Sequence, residues 1–217
     1  MPNTIYRNWN YGLGDVWATI QLLARIQRPG PILLSTVQHG QSLRAMQEAV
    51  LRAMDQQYFD NEIILVDDEP NTELDGYAVW AAPMIPAKHQ WSLGPRDNKI
   101  TVQFDGASTP ELKNPPPGDI VTINLWAQRH GFAVVIAGKD LGLEKSIWAM
   151  RTSVLFVGIC SGMSHVAHSV SVPTYILEYD LPVVTCHRHR NYVLCKGAGH
   201  FISQAENYLT FLRFINQ

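Results

Sequence analysis

Short apolar runs alternate with stretches of helical spacing along the whole chain. Residues 4–9, Thr-Ile-Tyr-Arg-Asn-Trp, read as a strand that ends in the turn Asn10-Tyr11-Gly12-Leu13-Gly14. Asp15 then stands as an N-cap, and Val16, Ile20, Leu23 and Ala24 recur at helical spacing until Pro29-Gly30-Pro31 ends the pattern. Residues 31–36 form a short apolar run that suits a buried strand. Residues 41–54 place Leu43, Met46, Val50 and Met54 on one side of a helix. Strand character resumes at residues 62–66 and again at 77–80, so the first half predicts a small sheet with covering helices.

From residue 81 to 98 the periodicity dissolves among Pro83, Pro86, Gly94 and Pro95, the composition of a linker or binding loop. The pattern then restarts. Residues 99–104 predict a strand, followed by a loop with Asp105-Gly106-Ala107-Ser108 and the stiff Pro115-Pro116-Pro117. Helices are expected at 119–130, 143–150, 161–170 and 205–216, and strands at 132–137, 154–158 and 173–177. The terminal helix carries Leu209, Leu212 and Phe214. Repeated strand-helix units imply parallel sheets, whose right-handed crossovers align the strand carboxyl ends along one binding edge. The expected architecture is α/β: a first Rossmann-like domain over residues 1–90, a linker at 91–98 and a second such domain over 99–217. A cleft is expected between them, and the terminal helix is a candidate to pack back on the first domain.

Composition narrows the class. With 46% hydrophobic and 17% charged residues, the 217-residue chain has the makings of a globular core. A formal net charge of −2 argues against non-specific coating of nucleic acid while leaving local basic patches open. Cys160, Cys186 and Cys195 form an odd set without CxxC spacing, which suggests a reduced compartment and no disulfide framework. Residues 1–10 are polar, and no apolar run approaches the roughly 18 residues of a membrane span. A cytoplasmic location is therefore expected.

The most informative chemistry is Phe156-Val157-Gly158-Ile159-Cys160-Ser161-Gly162-Met163-Ser164-His165, a buried strand running into a helix start. First-turn N–H groups and the positive helix end attract an anion, and Gly162 permits close backbone approach. Ser161 and Ser164 can donate to phosphate oxygens, and His165 can donate or carry charge there. The plainer alternative is a helix cap with small residues that only ease packing.

Strand-Gly-x-x-Ser-Gly-x-Ser-His-x-Ala followed by Val172-Pro173-Thr174 resembles the donor-site motif of bacterial lipopolysaccharide heptosyltransferases and related GT-B glycosyltransferases. Gly12-Leu13-Gly14-Asp15 before an apolar helix is similar to that family's N-terminal Gly-Asp turn. Residues 102–108 with Lys113 resemble the opening of its donor domain. Cys160 stands where the family generally has an aspartate, and both halves are short. The resemblance implies a GT-B-like fold and metal-independent, inverting transfer of a sugar from a nucleotide-sugar to an acceptor hydroxyl. No cofactor beyond the donor is implied.

In that reading Asp15 is the base that deprotonates the acceptor, although an aspartate at a helix start is commonly a cap. Ser108, Lys113, Ser161, Gly162, Ser164 and His165 cradle the diphosphate. Gly138, Lys139 and Glu178 lie on loops suited to base or sugar recognition. The basic stretch from Cys186 to His200, with Arg188, Arg190, Tyr192 and Lys196, reads as a solvated loop or as a positive patch for an anionic donor or acceptor. Its irregular Cys-His-x-His spacing is a weak zinc signal. A glycan or a hydroxylated base in DNA stays open as acceptor. In the DNA case Lys88, His89, Trp91 and Arg96 would join the contact surface. Hexosyl, pentosyl and heptosyl transfer are not distinguished by these residues. The competing classes are a nucleotide-sugar epimerase or hydrolase and a non-catalytic nucleotide-sugar-binding protein.

Overall fold

The computed structural model describes residues 4–54, 56–81, 96–106, 110–180 and 192–215. The chain forms two compact units, residues 1–88 and 89–217. The expected linker at 91–98 lies mostly outside the described residues.

The first unit begins with β1 (Ile5–Tyr6), α1 (Leu13–Leu23) and β2 (Ile32–Ser35). A hairpin of β3 (Val37–Gln38) and β4 (Gln41–Ser42) follows, then α2 (Arg44–Ala53), β5 (Ile63–Val66) and α3 (Gly76–Ala81). Strands β1, β2 and β5 pair in parallel in that spatial order. Val16, Ile20 and Leu23 of α1 pack with Ile32 and Leu34 of β2 and Val50 of α2 in one apolar cluster, which is why α1 keeps its helical period of apolar residues.

Three expectations change here. The helix predicted from Gln41 starts only at Arg44, because Gln41 and Ser42 pair with Gln38 and Val37. Asp15 is not the N-cap: Gly12 occupies that position, and Asp15 sits three residues into α1 with its carboxylate accepting from the Gly12 N–H at 3.1 Å. Residues 77–80 are helical rather than a strand. A four-residue apolar run does not distinguish a strand from one turn of buried helix. Here the bond from the Val79 N–H to the Asp75 carbonyl closes the helical turn.

The second unit contains β6 (Lys99–Gln103), α4 (Pro110–Lys113), α5 (Pro117–Arg129), β7 (Ala133–Ile136), α6 (Leu143–Thr152) and β8 (Leu155–Ile159). It continues with α7 (Gly162–Ser169), β9 (Thr174–Leu177), β10 (Tyr192–Cys195) and α8 (Ala198–Ile215). All five strands are parallel, in the order β10-β9-β8-β6-β7. β7 lies on one side of β6, whereas β8, β9 and β10 extend from the other. The direction of winding therefore reverses between β6 and β8, the switch point at which such sheets open a crevice at their carboxyl edge.

The core joins Ile100 and Val102 of β6, Leu155 and Val157 of β8, and Ile123 and Trp126 of α5 to Phe201 and Ala205 of α8. Helix α8 starts at Ala198, seven residues before its expected start, and β10 was not foreseen within the basic stretch. Leu209 faces the core as expected, but Phe214 is 78% exposed. Gly158 is needed at the switch point: a Cβ there would stand 2.8 Å from the Gln103 carbonyl oxygen on β6 and 2.8 Å from the Phe156 ring. The fold is α/β with Rossmann-like parallel sheets.

Candidate functional site

The loops at the switch point are joined by hydrogen bonds between distant segments. Ser161 caps α7: its hydroxyl oxygen accepts from the Met163 N–H at 3.2 Å. The same hydroxyl donates to Gln103 Oε1 at the end of β6, 2.7 Å away. Gln103 in turn donates from Nε2 to the Asp105 carbonyl, so it ties the loop after β6 to the start of α7. Ser164 completes a capping box, its hydroxyl donating to the Ser161 carbonyl at 2.7 Å and accepting from the Ser161 N–H at 3.2 Å.

These bonds change how the turn attracts an anion. Both serine hydroxyl protons that the sequence offers to phosphate oxygens are held within the protein in this state. His165 does not bring charge. It is 2% exposed, and burial, with a smaller contribution from His168, pushes its pKa down to about 3, so the ring is neutral near pH 7. The Ser161 and Met163 N–H groups are likewise held by the capping box, so the attraction that remains is the helix dipole and the Gly162 N–H at the start of α7. Gln103 was not singled out, because its partner lies 58 residues away and spacing within a motif carries no sign of it.

Lys113 ends α4, and its Cδ is 3.7 Å from where a Cβ on Gly106 would sit, so its stem lies over the loop after β6. Ser108, Arg188 and Arg190 lie outside the described residues. Gly138 follows β7 and donates its N–H to the Ser146 hydroxyl at 3.1 Å, and Lys139 beside it is exposed. Glu178 follows β9, where its N–H donates to the Cys195 carbonyl at 2.9 Å.

Glu178 and Lys196, 18 positions apart in the chain, share a groove of about 870 Å³ with Glu111, Asn114, Tyr179 and Asp180. That volume suits a small-molecule ligand. Asp119 fixes one wall: its Oδ2 accepts from the Tyr179 hydroxyl at 2.7 Å and from the Ala198 N–H at 2.9 Å. Burial and the Asp119 carboxylate together push the Tyr179 hydroxyl far above its ordinary pKa, so it stays a donor at any physiological pH. The groove is built from the loops after β6, β9 and β10. Ser161 and Gly162 are not in its lining.

In the first unit, burial raises the pKa of Asp15 above its ordinary value, and the Gly12 N–H opposes this only in part. A carboxylate so placed accepts a proton more readily than an exposed one. Among the described residues, no three His, Cys, Asp or Glu side chains converge to hold a metal ion. No helix among them is long and apolar enough to cross a membrane.

No family model matches the chain, and no curated protein matches it. One solved structure does. The chain is similar to the crystal structure of the dodecameric iron-containing heptosyltransferase TibC in complex with ADP-D-β-D-heptose, with a TM-score of 0.53. The likeness covers 83% of this chain and 61% of that one, at 13% sequence identity. It shows a glycosyltransferase-like fold, and the chain spans 61% of that protein's length.

Proposed function

We propose that this protein is a glycosyltransferase that binds the diphosphate of a nucleotide-sugar at the start of α7 and transfers the sugar to an acceptor hydroxyl. The observation that carries the reading is the Ser161-capped helix opening at the β6/β8 switch point, where Gln103 fixes the turn from the neighbouring strand. The TibC complex, which contains a nucleotide-sugar, supports it.

In this mechanism Asp15 takes the proton of the acceptor hydroxyl. The acceptor oxygen forms a bond to the anomeric carbon as the bond from that carbon to the phosphate oxygen breaks. The electron pair leaves on the diphosphate, whose growing charge is met by the dipole of α7, the Gly162 N–H and Lys113. Attack opposite the leaving group inverts the anomeric centre. Glu178 would accept from ribose hydroxyls, with Lys196 across the same groove.

An epimerase or hydrolase would consume the donor without acceptor, whereas a transferase turns over slowly until acceptor is added. A thermal-shift screen of ADP, GDP, UDP and their sugar conjugates tests donor binding, since a ligand held only by the folded state raises its melting temperature. At least one nucleoside diphosphate should stabilise the wild-type protein. Gly162→Glu should abolish that shift, because a carboxylate at the anion site repels the diphosphate. Equal shifts in both proteins, or none in the wild type, would contradict the reading.

A further inference from the structure

The donor-site reading leaves unused a second feature, at the carboxyl edge of the first unit's sheet. The loop after β1 and the β3–β4 hairpin bring Tyr11 and His39 together, with ring centroids 5.7 Å apart and planes inclined by 36°. Both side chains are exposed, Tyr11 at 38%. The hairpin turns through two left-handed residues, His39 at φ 45° and Gly40 at φ 75°. Histidine is among the few non-glycine residues enriched in the left-handed region, so the turn presents the imidazole at the hairpin tip.

The candidate base belongs to the same junction. The Asp15 carboxylate holds the N–H of Gly12, the residue that follows Tyr11. The same two segments are anchored in the interior by Asn8 and Gln38, both more than nine-tenths buried, which holds the loop after β1 and the hairpin in place beneath the exposed pair.

Charge selects the class of ligand. The first unit carries ten acidic and six basic residues, against nine and eleven in the second. At the end of β5, on the same edge as the aromatic pair, Asp67 and Asp68 add negative charge. The Arg44 guanidinium there is already paired with Asp67 at 2.9 Å and with Glu48 at 3.7 Å. A nucleic-acid backbone approaching this edge would be repelled. An uncharged ring bearing hydroxyls would find aromatic faces for its C–H bonds and the partly exposed Asp15 carboxylate for one of its O–H groups.

We propose that Tyr11 and His39 form the acceptor platform and seat an uncharged sugar ring, one of whose hydroxyls is deprotonated by Asp15. This rests on the glycosyltransferase reading, and the test separates the two. Saturation-transfer NMR on the full chain would use maltotriose, cellotriose and chitotriose as uncharged probes and a ten-residue oligothymidylate as the anionic one. Variants Tyr11→Ala and His39→Asn would be compared with the wild type, the asparagine being chosen because it tolerates the left-handed turn.

At least one oligosaccharide should bind, about fivefold more weakly in either variant, while the thermal shift with nucleoside diphosphates is unchanged. Oligosaccharide binding unaffected by both substitutions, no binding of any of the three, or preferential binding of the oligothymidylate would overturn the proposal. Each of these outcomes can occur with the nucleotide shift intact, which leaves the donor reading standing. Loss of the nucleotide shift in the wild type would instead remove the glycosyltransferase reading.

Discussion

Lowering the pH from 8 to 5 is expected to destabilise the second unit by about 4 kcal/mol, roughly 2 kcal/mol from each of His165 and His168. Both rings lie in α7 beneath the candidate donor turn, and burial is the first cause of both shifts, to about 3 for His165 and about 4 for His168. In the unfolded chain each would titrate near its ordinary 6.5. Between those values the unfolded state binds protons that the folded state refuses. The stabilisation is therefore complete above pH 6.5 and is lost as pH falls toward the folded-state values. The carboxylates held low in the fold, the exposed Asp97 and the partly buried Glu206 in this unit, titrate mostly below this window. Urea unfolding at pH 8 and pH 5, followed by hydrogen exchange of β8 and β9 amides, measures the difference. His165→Gln should reduce the pH-dependent part by about half whatever it does to stability itself. Equal stability at the two pH values would show that the rings are not buried as described.

The second large effect falls on catalysis. Asp15→Asn should lower the rate of sugar transfer about a thousandfold, within the usual range for removing a general base. The isosteric amide keeps an oxygen for the Gly12 N–H, so the bond that closes the first turn of α1 is retained and the fold is expected to change little. Nucleoside diphosphate binding, which the proposal assigns to the second unit, should be unaltered. Burial raises the Asp15 pKa, so the wild-type rate should climb as pH rises through a value above the ordinary 3.8. The measurement is release of nucleoside diphosphate from the donor selected by thermal shift, with and without acceptor. A variant as active as the wild type would leave Asp15 only the structural role of holding the Gly12 N–H.

How far these features could be read from the sequence depended on the range of the interactions. In the second unit, β8 and β9 are apolar runs bounded by helix starts or by Pro173, and their existence was plain. β10 was hidden because Tyr192 to Cys195 follow Arg188 and Arg190, whose charge dominated the reading of that stretch. The early start of α8 was masked by Gly197 and Gly199, residues that usually end helices rather than begin them. In the site, the Ser161 cap was visible as a local motif, and the structure retains it. The partners that redefine it were not local. Gln103 approaches from another strand and engages the Ser161 hydroxyl, and burial by the surrounding sheet and helices makes His165 neutral. Tyr11 and His39 meet only because a two-residue turn folds the hairpin toward the loop after β1.

In the proposed donor complex a diphosphate rests on the first turn of α7. Backbone amide NMR of the full chain, titrated with the nucleoside diphosphate that gives the largest thermal shift, observes that turn directly. The Gly162 amide should shift most, with smaller changes at its neighbours Ser161 and Met163 and at Glu178 and Lys196 along the groove, all saturating together. Saturable binding that leaves the Gly162 amide unmoved would contradict that placement.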